Sequence, residues 1–238
     1  MIDFSRRSAQ LEIMDNMQEG FENLPMVFDD INRVNRMLGG NAITVQAVAK
    51  LFHENPKEAY VIVDMGCGDG AMLRELADYC RKQKLNVRFI GIDLNKEALQ
   101  IAGRESLDYP EISYVVEDIV ALDPSNFECD IVLTTLTMHH FTNAQLLIFL
   151  QKFIELTSIG VVINDLQRSR WAYYLFRGFS RIFIKTKVAK IDGLISIRKG
   201  FIKSELKEYS QRLPSVSHDI RWKWAYRYVW VMRHNPLS

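Results

Sequence analysis

The chain has 238 residues, 48% of them hydrophobic, enough to bury one substantial core without division into separate folding units. Lys and Arg number 30 against 29 Asp and Glu, a formal net charge of +1, which excludes a global field drawing the protein to nucleic acid or to an anionic membrane. The three cysteines, Cys67, Cys80 and Cys129, are odd in number and lack metal-ligand spacing, so free thiols in a reducing, cytoplasmic setting are expected.

Met1 to Asp15 alternates charge with apolar residues and has no signal-peptide core. No uninterrupted apolar run approaches the roughly 18 to 20 residues of a membrane span, and a soluble protein is expected. Leu11, Met14 and Met17, then Val27, Ile31, Val34 and Leu38, are spaced three and four apart and predict helices. Gly39-Gly40-Asn41 stops the second of these, and Ala42 to Phe52 resumes one. Residues 1–55 thus read as an N-terminal helical cap, followed by the main domain over 56–238.

Tyr60 to Val63 is β-branched and aromatic, which favours a strand, whereas Ala71 to Arg81 has helical spacing. Between them, Asp64-Met65-Gly66-Cys67-Gly68-Asp69-Gly70 forms a strand-to-helix turn where missing Cβ atoms let backbone approach a ligand. The next strand, Val87 to Ile92, ends in Asp93, placed where dinucleotide folds put an acid that accepts from a ribose diol. The turn reads Asp-x-Gly-x-Gly-x-Gly rather than Gly-x-Gly-x-x-Gly and has no Gly-Lys-Ser/Thr ending. Asp64 would repel a phosphate but suits a cationic amino-acid end. Adenosine, ribose and a cationic tail together describe S-adenosylmethionine.

Asn95 is a candidate N-cap for a helix over Lys96 to Arg104, Ile112 to Glu117 predicts a third strand ending at Asp118-Ile119, and Asp130 to Thr135 predicts a fourth. The carboxyl ends of such strands bind ligands in open parallel sheets, which brings Thr135 to the site. Val61 to Gly70, Gly91 to Asn95, Val116 to Ile119 and Asp130 to Phe141 resemble, in order, the successive motifs of class I S-adenosylmethionine-dependent methyltransferases, nearest to the small-molecule branch that includes the ubiquinone and menaquinone methyltransferases.

The resemblance implies an α/β fold: a Rossmann-like, doubly wound seven-stranded sheet, mostly parallel with an antiparallel C-terminal strand pair, a helical cap and a helical insertion after the fifth strand. It places Asp64, Gly66, Cys67, Gly68, Asp93, Leu94, Asp118, Ile119 and Thr135 around the cofactor, with Asp118 accepting from the adenine amine and Ile119 packing on its ring. The N-terminal helices read either as packing or as a lid whose Arg33, Asn35 and Arg36 reach the cofactor carboxylate or the substrate.

The segment Leu136 to Phe141 resembles the substrate-side loop of that family. It lacks the Asn/Asp-Pro-Pro-aromatic tetrapeptide of the nucleic-acid and protein N-methyltransferases, so no nucleic-acid partner is expected. His139 and His140 are candidate general bases, though the family carries similar pairs without always using them. The fourth strand ends in threonines, and Asn164-Asp165, after the fifth strand at Gly160 to Ile163, reverses the order found in metal-dependent catechol-type enzymes. No metal is expected.

Gln145 to Thr157 predicts an amphipathic helix. Residues 166–200 depart from the minimal fold. On a helical wheel, Arg170, Arg177, Arg181 and Lys185 share one face, and Trp171, Leu175, Phe176, Phe179, Ile182 and Phe183 fill the other. A plain packing helix, a lid over an apolar substrate and a membrane contact through 170–185 all stay open. Lys203 to Arg212 predicts a helix, and Ser217 to Trp222 with Tyr226 to Arg233 an antiparallel hairpin, whose aromatics serve as sheet core or as a stacking surface for single-stranded nucleic acid. The reading is methyl transfer to a small, aromatic or lipid-like acceptor, by O- or C-methylation; the alternative is a cofactor- or RNA-binding module of the same fold.

Overall fold

The computed structural model describes residues 2–16, 24–119, 121 and 129–234. Met17, one of the residues whose spacing predicted the first helix, lies outside them. Seven strands, β1 (Tyr60–Met65), β2 (Val87–Asp93), β3 (Ile112–Val116), β4 (Cys129–Thr135), β5 (Thr157–Leu166), β6 (Val216–Lys223) and β7 (Arg227–His234), form one sheet in the order β3-β2-β1-β4-β5-β7-β6. The first five are parallel, and β7 runs antiparallel to both β5 and β6. The order reverses between β1 and β4, and such a switch point opens a crevice at the strand carboxyl ends. The expected sheet is the observed one.

Strand periodicity sorts the core into two layers. Val63, Val132, Val161 and Trp230 point to the side covered by Phe149 and Phe153 of α5 (Asn143–Leu156), while Ile62, Ile131, Val162 and Val231 point to the side covered by α2 (Gly40–Glu54) and α3 (Ala71–Gln83). Helix α4 (Lys96–Glu105) begins as predicted, with the Asn95 side chain accepting from the Ala98 amide at 3.0 Å. A capping box opens α5, where Gln145 Oε1 accepts from the Thr142 amide at 2.9 Å. The sheet edge is completed by α8 (Lys203–Gln211), packed against β6.

Two expectations are corrected. The helix predicted through Leu11 and Met14 is an extended strap with a short 3-10 turn at Met14–Asn16, and Leu11 is exposed. Backbone bonds to other elements replace helical ones: the Ser8 amide donates to Arg198 O, and the Ile13 and Met14 amides donate to Asp192 at 2.8 and 3.0 Å. Arg7 pins the strap by donating to the carbonyls of His139, Phe141 and Lys199. The true N-terminal helices are α1 (Leu24–Met37) and α2.

The second correction concerns the insertion. It holds two helices, α6 (Arg170–Phe183) and α7 (Lys187–Lys199), so Lys185 is not on the helix of the arginines. Asp30 of α1 makes the break, accepting from the Lys185 amide, the Thr186 amide and the Thr186 hydroxyl at 2.9, 2.7 and 2.9 Å. Nor does the apolar face pack as one. Phe176 and Phe179 turn inward, while Trp171, Leu175 and Ile182 are 73%, 53% and 77% exposed. At the C-terminus, Tyr228 and Trp230 are buried in the sheet, and Trp222 and Trp224 are exposed at the hairpin end.

Candidate active site

One cavity of about 960 Å³ runs along the carboxyl ends of β1, β2, β4 and β5. Of the residues expected at the site, Asp64, Gly66, Cys67, Gly68, Asp93, Leu94, Asp118, Ile119, Thr135, His139 and His140 all line it. Arg36 does not. It is exposed on the outer side of α1, and the neighbouring Asn35 faces the cavity instead, a correction that follows from helical phase. Arg33 likewise turns away, 3.6 Å from Asp30.

The turn after β1 is left-handed at Gly66 (φ 77°) and Gly68 (φ 55°), conformations that cost side-chain-bearing residues dearly. The Gly66 and Cys67 amides donate to Ile92 O, and the Gly68 amide donates to Asp93 Oδ2 at 2.8 Å. Asp93 Oδ1 accepts from the Asn95 amide at 2.9 Å, so both carboxylate oxygens are oriented and each keeps a lone pair for a hydroxyl. Helix α1 closes over this turn. A Cβ at Gly68 would come within 3.1 Å of the Phe28 ring, and Asn32 Nδ2 donates to Asp69 at 2.6 Å. Gly68 therefore leaves room for Phe28, where the sequence suggested room for the ligand itself.

Asp64 is buried to 2% exposure, and its Oδ1 has no hydrogen-bond partner among the described residues. Burial first, and Asp93 second, push its carboxyl well above the usual carboxylate range. A cationic group placed beside it would satisfy the oxygen and favour its charged form. This set of acceptors fits an adenosine ligand with an ammonium tail.

The other half of the cavity holds a buried cluster of charged and titratable side chains. His139 is 2% exposed; its Nδ1 lies 2.7 Å from Asp165 Oδ1, and its amide donates to Asp165 Oδ2 at 3.1 Å. His139 Nε2 is 3.5 Å from Glu12 Oε1, brought in by the strap, and makes no hydrogen bond among the described residues. Burial disfavours the imidazolium, but Asp165 and Glu12 outweigh it and lift the His139 pKa to about 9. Burial likewise opposes the charge of Glu12, yet His139, His140 and Lys199 take its carboxyl down to about 2. His140 Nδ1 is 3.0 Å from Asp15.

Glu12, His139 and His140 bring three ligand-type atoms within 4.8 Å of one another. The place of a cation is already taken there by the Lys199 ammonium, 3.1 Å from Glu12 Oε1. Asn164, which the sequence weighed only as half of a metal pair, donates to Gly40 O and Thr44 Oγ1 at 2.8 and 2.9 Å and ties α2 to the sheet. Sequence reasoning missed Glu12, Arg227 and the pairing of Asp165. Only Asp165 had a signal, its position at a strand carboxyl end.

Residues 62–160 match the family model described as a methyltransferase domain. Over that stretch the chain is similar to methyltransferase domains, in keeping with the resemblance of its motifs to class I S-adenosylmethionine-dependent methyltransferases. Over 120 residues it is 24% identical to the malonyl-[acyl-carrier protein] O-methyltransferase of Halalkalibacterium halodurans, an alignment covering 49% of this chain and 42% of that protein. The chain thus spans less than half the length of this curated relative. The plantazolicin methyltransferase BpumL in complex with SAH superposes with a TM-score of 0.67 at 15% identity, over 91% of this chain and 92% of that one. The magnesium protoporphyrin IX methyltransferase (ChlM) from Synechocystis PCC 6803 with bound SAH gives 0.60 at 13%, over 90% and 96%. At these identities the two structures show the methyltransferase fold.

Proposed function

We propose that this methyltransferase domain transfers the methyl group of S-adenosylmethionine to a small, apolar acceptor by O- or C-methylation, in the cytoplasm. The observation that carries the reading is the continuity of one cavity from the glycine turn and Asp93 to the His139–Asp165 pair. The bound cofactor would supply an electrophilic methyl on a good leaving group, leaving the protein to position the acceptor, exclude water and hold its proton. Asp64 would hold the cofactor ammonium, Asp93 the ribose hydroxyls, and Asp118 with Ile119 the adenine.

In this reading, Asp165 fixes the His139 ring so that Nε2 is the nitrogen offered to an acceptor hydroxyl or acidic carbon, with Glu12 and Lys199 balancing charge around it. Phe176 and Phe179 of α6 and Ile184 after it roof the acceptor half, so 166–200 acts as a lid on the domain over 56–238, with 1–55 as its cap. The test is incubation with methyl-labelled cofactor and a lipid extract: label entering an extractable small molecule supports the reading, and label retained only as bound cofactor supports a binding module.

Access favours a lipid surface. The outer side of α6 presents Trp171, Leu175 and Ile182 beside Arg170, Arg177 and Arg181, all exposed, and Leu175 and Trp224 also line the cavity. An apolar stripe bordered by arginines complements an anionic bilayer. None of the helices among the described residues is long and apolar enough to cross a membrane, so such contact is peripheral.

A further inference from the structure

Arg227 opens β7 and is buried to 4% exposure, yet no ion pair to it occurs among the described residues. Its Nη2 donates to Asn35 Oδ1 at 2.6 Å, a neutral acceptor, and its Nη1 has no partner among the described residues. The side chain lines the cavity. Arg168, the other buried arginine of this region, shows how the protein satisfies a guanidinium it keeps for structure: Glu205 accepts at 2.6 and 3.0 Å and Gly200 O at 2.7 Å. Among the described residues, Arg227 has no such carboxylate bonded to it. Burial lowers its pKa to about 10, and Asp165, the acid that opposes this, is already paired with His139. A buried cation without its counter-ion is costly unless a ligand supplies one.

The surroundings define that ligand. The start of α2 lies against the guanidinium, since a Cβ at Gly40 would sit 2.8 Å from Arg227 Cζ, which confines the group and leaves Nη1 as its unused donor. A fixed planar fork matches a planar carboxylate. Strands β5 and β4 separate β7 from β1, so three strand spacings, about 14 Å, lie between the first residue's strand and the strand of the glycine turn. That distance puts Arg227 in the acceptor half of the cavity, which Phe176, Phe179 and Ile184 also line.

We propose that Arg227, held by Asn35, is the binding site for a carboxylate carried by the acceptor, so that the acceptor is an amphiphilic carboxylic acid. This rests on the methyltransferase reading only for the word acceptor; the carboxylate site stands on the geometry. The cofactor's own amino-acid carboxylate is the competing source of the same chemistry.

The experiment titrates S-adenosylhomocysteine by calorimetry, and then decanoate and decanol into the loaded protein, for the wild type, Arg227→Met and Asn35→Asp. Asn35→Asp keeps the arginine and gives it an internal counter-ion, so it tests the site even where Arg227→Met folds poorly. Decanoate is expected to bind the wild type at least about tenfold tighter than decanol, and to lose that advantage in both variants while S-adenosylhomocysteine affinity holds. The Tm of Asn35→Asp is expected to rise. Equal binding of decanoate and decanol to the wild type would overturn the proposal, as would variants that weaken S-adenosylhomocysteine and spare decanoate, which would give the carboxylate to the cofactor. A wild type that binds no S-adenosylhomocysteine would sink the methyltransferase reading instead, and the decanoate comparison is then read on the unloaded protein.

Discussion

His139 Nδ1 lies 2.7 Å from Asp165 Oδ1 in a pocket where both side chains are buried, and the same carboxylate accepts from the His139 amide. This clamp sets the ring's orientation and makes Nε2 the nitrogen that faces Glu12 and the cavity. His139→Gln is expected to lower kcat by about 10²- to 10⁴-fold with S-adenosylhomocysteine affinity unchanged, measured by calorimetry beside the methyl-transfer assay. Retained kcat would reduce the pair to a structural clasp.

The raised pKa of His139 gives two pH signatures. Its neutral form grows as pH rises, so a rate that uses it as base should climb through neutrality and level off near pH 9, and Asp165→Asn should move the inflection down. Stability runs the other way. A histidine whose folded pKa lies above its unfolded value stabilises fully below about 6.5 and loses that contribution as pH rises through about 9. The Tm of wild type should therefore fall relative to His139→Gln between those values; parallel Tm profiles would contradict the placement.

Gly68→Val combines a left-handed φ of 55° with a Cβ 3.1 Å from the Phe28 ring. It is expected to displace α1 from the turn and abolish S-adenosylhomocysteine binding while leaving the sheet folded. Circular dichroism and calorimetry on one sample check this. Normal binding by a folded variant would remove the turn from the site.

Much of this was legible in local pattern. The β-branched run from Tyr60, the glycines that follow and the acid at Asp93 are contiguous signals, and Asn95 capped its helix as its residue type foretold. Other features depend on contacts between segments distant in sequence. Leu11 and Met14 have helical spacing, but the strap's amides are taken by Arg198 and Asp192, so tertiary bonds override the periodicity. Glu12 reaches His139 only through that strap, and Arg227 reaches the cavity only through the β5–β7 register that pairs it with Leu166. Nothing near either residue in sequence announces this.

Methyl transfer is expected to survive chelation, because Lys199 already neutralises Glu12 where a metal held by His139 and His140 would sit. Assays in EDTA, with and without added magnesium, decide it. Loss in EDTA with rescue by magnesium would mean that Lys199 is displaced by a metal.

Co-sedimentation with phosphatidylglycerol vesicles should bring down the wild type at low salt and release it at high salt. Trp171→Ser with Ile182→Ser, and separately Arg177→Glu with Arg181→Glu, should each abolish it, since all four side chains are exposed and their loss spares the core. Absence of the wild type from the pellet, or equal pelleting of the variants, would mean that α6 serves only as a roof.

The central claim is that the cavity at the β1–β4 switch point is an S-adenosylmethionine site, and calorimetric titration of S-adenosylhomocysteine into wild type and Asp93→Ala tests it most directly. Asp93 is oriented by the Gly68 and Asn95 amides and keeps a lone pair on each oxygen for the ribose. The account predicts saturable one-to-one binding by wild type and a loss of about 2 to 4 kcal/mol in Asp93→Ala. Absence of binding by wild type, or equal affinity in the variant, would contradict it.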